Sequence, residues 1–123
     1  MRLEPPQHGW KPYRLVSANS NNLTSATTSP GCIGPIHVFN DGASSAFVKL
    51  YDKASAPVIA SDTPKFVIGV GTKSNAPIPG DAVGLGFANG IALAIVGGLA
   101  DTSTANVAAN QVVVSFGYSA TSP

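Results

Sequence analysis

Asp52 and Asp62 are the residues in this chain that come nearest to a reactive pair. They flank one loop, and two convergent carboxylates are the minimum equipment of a glycoside-hydrolysing site. The acids as a set are Glu4, Asp41, Asp52, Asp62, Asp81 and Asp101, and most lie in or beside turns. There an aspartate closes the backbone locally, and that reading outweighs catalysis. His8 sits among prolines and His37 in a β-forming run, with no second histidine or cysteine at ligand spacing, so no metal site is predicted. Asp101-Thr102-Ser103-Thr104 offers oxygen ligands but matches no calcium loop, and a solvated turn is expected. Cys32, the one cysteine, lies in an apolar stretch without an activating neighbour and reads as a small buried hydrophobe. Gly69-x-Gly71 and Gly84-x-Gly86 lack the helix start that a phosphate cradle needs. Gly84 and Gly86 instead suggest a strand crossed closely by another chain. No nucleophile elbow is present. The expectation is a protein with no catalytic residues and no cofactor, acting through its surface.

Composition narrows that surface. The chain has 123 residues, 44% of them hydrophobic, which suits one domain with a core of its own. Charged residues are only 11%, well below the usual ~25%. This is consistent either with burial against other subunits or with a surface merely rich in Ser, Thr, Asn and Ala. Arg2, Lys11, Arg14, Lys49, Lys53, Lys65 and Lys73 are scattered and the net charge is +1, so no run of phosphates is matched and no nucleic acid is expected. Met1 to Pro6 has no apolar segment of the kind found in signal peptides. The longest apolar run, Gly90 to Ala100, is short of the ~20 residues that span a bilayer, so no membrane partner is expected.

The elements that would position such a surface are strands. Val48–Tyr51, Phe66–Val70, Ile91–Val96 and Gln111–Phe116 are β-branched and aromatic runs fenced by Gly, Pro, Asn, Asp or Ser. Further strands are predicted at Tyr13–Ala18, near Leu23–Thr27, from Gly31 to Asn40 with a kink at Gly34-Pro35, and around Val83–Phe87. Residues 71–80 read as a loop. Asp41-Gly42 and Asn89-Gly90 read as turns that adopt positive φ. In the run from Ser45 to Asp52, Val48 and Leu50 belong to the core and Lys49 marks the solvent face. Ile91–Val96 is apolar in both phases, as in a strand covered on both sides. Val112, Val114, Phe116 and Tyr118 share one face.

The predicted fold is all-β: an antiparallel β-sandwich or jelly-roll-like domain of about 7–8 short strands with an extended N-terminal arm. The divisions are a Pro-rich arm over 1–12, a sandwich over 13–118 and a tail over 119–123. The arm and its junction carry Pro5, Pro6, Trp10, Pro12 and Tyr13, the candidate interface residues. Trp10 packs either on its own domain or on a neighbouring subunit.

The stretch Phe47-Val48-Lys49-Leu50-Tyr51-Asp52-Lys53-Ala54-Ser55-Ala56-Pro57 with Asp62-Thr63-Pro64 resembles small virion structural proteins of tailed bacteriophages. So do Phe87–Ile95, Gly97–Thr102 and the closing Val112–Tyr118. The resemblance covers residues 36–118, and the order of the two blocks is its most specific part. It implies a β-sandwich capsid decoration, or cement, protein. Such a protein is made in the host cytoplasm and held on the virion's capsid surface, with the major capsid protein and further copies of itself, as a homotrimer, for partners. The alternative is a tail or head-fibre module that stacks a host surface glycan on Trp10, Tyr13, Tyr51 or Tyr118.

Overall fold

A computed structural model describes residues 10–78 and 85–120. Pro5, Pro6 and His8, Asp81 to Gly84, and residues 121–123 of the expected tail lie outside them. The described chain forms β1 (Lys11–Val16), β2 (Thr24–Thr27), β3 (Gly31–Asn40), β4 (Ala46–Asp52), β5 (Phe66–Val70), β6 (Ser74–Ile78), β7 (Leu85–Phe87), β8 (Ile91–Val96) and β9 (Val112–Ala120). The order is β1-β9-β3-β6 in sheet A, with β7 also on β3, and β2-β8-β4-β5 in sheet B. Every pairing is antiparallel.

With the short β7 set aside, the pairs β4·β5, β3·β6, β2·β8 and β1·β9 nest one inside the next. A single long antiparallel ribbon rolled into two layers gives this pattern, which makes the sandwich a jelly roll. Alternation supplies the core between the layers. Tyr13, Leu15, Ile36, Val38, Val112, Val114, Phe116 and Tyr118 point inward from sheet A, and Val48, Leu50, Ile68, Leu93 and Ile95 from sheet B. All six residues of β8 are buried, as its two-phase apolarity implied.

Several expectations change. Residues 74–78 are a strand rather than a loop. The chain crosses from sheet B to sheet A through Lys73, whose φ of 50° supplies the turn without a glycine. Among described residues Asn22, Asn110 and Gly90 also take positive φ, Gly90 at 159°, whereas Asp41, Gly42 and Asn89 do not. The loop after β3 is shaped instead by Asn40. Its Oδ1 accepts the Gly42 amide at 2.9 Å, and its Nδ2 donates to Ser44 O at 2.9 Å and Gly71 O at 3.1 Å. Gly34-Pro35 does interrupt β3 as a bulge, between Ile33 and Ile36. Lys11 and Pro12 belong to β1 and Ser119 to β9, so the strands run past the expected domain edges.

The largest correction is Lys49. It has no solvent exposure at all. Sheet B's outer face is covered, with Ala100 of the loop after β8 against Lys49 and with Asp101 and Asp62 near Tyr51. Lys49 and Tyr51 lie on that face over the small Ala94 and Ala92 of β8. The Lys49 ammonium donates to Ala100 O, and burial pushes its pKa down, with Asp101 opposing. The Tyr51 hydroxyl is buried with no hydrogen-bond partner among the described residues.

Candidate functional site

Sheet A has the opposite character on its outer side. There the strand register builds two rows across all four strands. Arg14, Ser115, His37 and Pro77 make one row, and Val16, Val113, Phe39 and Asn75 the next. They alternate with the inward rows Leu15-Val114-Val38-Ala76 and Tyr13-Phe116-Ile36-Ile78, so the phase of the core fixes the phase of this face. No described segment covers it: Arg14, Asn75 and Pro77 are exposed, and Phe39 is 46% exposed.

Trp10 extends the face at its β1 end. A Cβ built on Gly117 would fall 2.5 Å from Trp10 Cβ, and one on Gly34 would fall 2.6 Å from the indole ring. The side chain therefore lies directly on two bare backbone positions of β9 and β3, and remains half-buried. Of the two placements open for Trp10, the structure puts it on its own domain. Pro12 is exposed in β1, an edge strand, where a missing N–H costs no ladder bond on the open side. Tyr13 points the other way and stacks on Phe116 with centroids 5.0 Å apart, inside the core.

The face is half apolar and almost uncharged. His37 lies against Phe39, ring centroids 4.2 Å apart, with Nε2 3.4 Å from Asn75 Oδ1. A shallow groove lined by Pro35, Ile36, His37, Pro77 and Ile78 runs along the β6 edge. Arg14 has no ion pair or hydrogen bond among the described residues, and no described acid lies on either row. Trp and Arg beside apolar residues, with no described Lys, Glu or Asp on the two rows, is a composition enriched at interfaces. The sequence does not single out Arg14, Phe39 or Val113, and it considers His37 only as a metal ligand, which it sets aside. The signal was the complement of the Val112-Val114-Phe116 face, which is in plain view once that strand is phased.

The residues considered for other chemistry are placed apart from this face or engaged locally. Partial burial pushes the Asp52 carboxyl up. The amides of Asn89 and Ala88, the Lys65 charge and the Gly90 amide outweigh that and hold it below the usual carboxylate range. Its oxygens close the turn before β8, 2.8 Å from Asn89 N and 3.2 Å from Ala88 N. Asp62 is lowered by Lys53, which donates to it at 2.6 Å, and by the Val58 amide at 2.7 Å. Neither carboxyl has the raised pKa of a general acid. Among the described residues no three His, Cys, Asp or Glu side chains group at metal-binding range. Cys32 is buried, and burial pushes its thiol pKa up. Gly86 faces open space, so no described segment crosses it. Three of the four aromatics suggested for stacking a glycan are occupied: Tyr51 is buried, and Tyr13 and Tyr118 pack on the core.

No family model, no curated protein and no solved structure matches this chain.

Proposed function

We propose that this protein is a bacteriophage capsid decoration, or cement, protein. In this reading it sits on the outside of the head and stabilises contacts between capsomers of the major capsid protein, through the outer face of sheet A. The observation that carries the reading is that face: four strands wide, open, half apolar, free of described acids and furnished with Trp10 and Arg14. The resemblance of residues 36–118 to small phage virion proteins supplies the identity of the shell. A ligand that binds only the assembled shell stabilises it by mass action, by about 2.7 kcal/mol per site at a hundredfold excess over Kd. That role requires shape and apolar area and no reaction. Self-association as a homotrimer at local three-fold positions fits the closed symmetry of a shell.

The test is the copy number of this chain in purified virions, by quantitative mass spectrometry against the major capsid protein. Hundreds of copies support decoration of the shell. A handful to a few dozen place the chain at the tail, neck or a fibre and overturn the reading.

A further inference from the structure

The outer face of sheet A also constrains what sits on it. Arg14 is its one described cation with a permanent charge, and it has no partner among the described residues. The described acids are all elsewhere. Asp41 pairs with Lys73 at 3.3 Å in the loops beyond β3 and β5. Asp52 is tied to the turn before β8 and Asp62 to its own loop, and Asp101 lies in the loop after β8. A guanidinium brought into a contact loses water, and it must gain acceptors from the other side or the contact weakens. Its planar fork is matched best by a carboxylate.

We propose that the surface docking on this face is a protein patch that is apolar opposite Phe39, Val113 and Trp10 and bears an unpaired carboxylate opposite Arg14. The inference rests on the docking reading above. A second copy docked face to face is disfavoured, since two faces without a described acid would bring together two guanidinium groups and no described carboxylate to neutralise them. A nucleic acid is disfavoured as well, because a single cation among apolar side chains matches one phosphate and no run of them. Arg14 lies on β1, an edge of the sheet, so its pair belongs to the rim, where charge governs association rate and salt dependence.

The experiment measures binding of the full chain to purified shells assembled without it, at low and high salt, for wild type, Arg14→Ala, Arg14→Lys, Arg14→Glu and Phe39→Asp. Each variant is first matched to wild type by circular dichroism and thermal melting. Arg14→Ala should weaken binding about tenfold and Arg14→Glu about a hundredfold, with most of the salt dependence lost. Arg14→Lys should keep part of it. If Phe39→Asp abolishes binding while Arg14→Glu binds like wild type, the carboxylate is refuted and the docking face stands. If neither variant binds less well, the face itself is wrong. A dimer of the free protein that Phe39→Asp dissociates would show a second copy on the face and overturn the proposal.

Discussion

Lys49 offers the sharpest test of how the two sides of this sandwich differ. Its ammonium is fully buried and has one carbonyl acceptor, Ala100 O, for three donors. Removing such an ion from water costs several kcal/mol. One hydrogen bond to a charged donor returns about 1.5–3 kcal/mol, and exposed Asp101 adds a screened attraction. The balance is unfavourable by a few kcal/mol, while the aliphatic stem packs usefully over Ala94. Lys49→Met keeps the stem and removes the ion, so it should stabilise the fold by about 1–3 kcal/mol. Lys49→Ala should fall about 2–4 kcal/mol below the Met variant, because it opens a cavity under the covering segment. Lys49→Asp should not fold, because it buries a carboxylate with no donor.

Urea unfolding at neutral pH with matched m-values reads all three. The pH dependence supplies a second check. Lys49's folded pKa lies below its ordinary 10.5, so between the two values the unfolded chain binds more protons and wild-type stability rises with pH. The gap between Met variant and wild type should therefore be full below the folded pKa and close as pH climbs toward 10.5. Tyr13 and Tyr51, whose pKa values burial raises, act in the opposite sense in both proteins and cancel in the difference. A Met variant less stable than wild type by over ~1 kcal/mol would refute the reasoning, since the charge would then be a net support.

Three further outcomes are expected. Gly117→Ala puts a methyl 2.5 Å from Trp10 Cβ and must displace the side chain, so the emission of this single tryptophan should shift to the red; an unchanged spectrum would place Trp10 elsewhere. Asn40→Ala, which removes the donor to the buried Val70 carbonyl and the bonds to Gly71 O and Ser44 O, should cost about 1–3 kcal/mol by urea unfolding. Asp52 has a folded pKa below 3.8, so it contributes stability at pH values above that, and this is lost as pH falls through the folded value. The wild-type advantage over Asp52→Ala should accordingly shrink in acid, and a constant difference would mean the amide contacts do not select the ionised form.

The fold was legible where alternation met a single dry side. Val112, Val114 and Phe116, or Val48 and Leu50, could be phased from sequence because the core lies on one side of their sheets. The Gly34-Pro35 bulge and the two-sided burial of β8 were legible for similar reasons. Two elements were not. β6, Ser-Asn-Ala-Pro-Ile, has neither β-branched density nor a glycine at its entry, because its place is fixed by pairing with β3 and its turn by Lys73. Lys49 was assigned to solvent by side-chain type alone. The counter-signal was present: Lys49 shares its face with Phe47 and Tyr51, and the adjacent strand, Ile91–Val96, reads as covered on both sides. Once β8 is known to pair with β4, the cover over Ala92 and Ala94 extends to Tyr51 and Lys49 beside them. The docking face was harder still, because Arg14, His37 and Phe39 come from separate strands and meet only through register.

That register bears on why the proposed contact is assigned to sheet A and not sheet B. A sandwich has two outer faces, and in this chain parts of the loops after β4 and β8 lie over one of them, to the point of burying an ammonium and a tyrosine hydroxyl. Covering in that way leaves sheet B with loops outside and nothing flat to offer. Sheet A receives no such cover among the described residues, although Val16, Val113, Phe39 and Trp10 would benefit from one. Glycines at 34 and 117 let Trp10 lie close to the backbone, which keeps the surface level instead of ridged. A level apolar face left bare while the other is sealed at electrostatic cost is more economically explained by a partner that completes sheet A than by chance exposure.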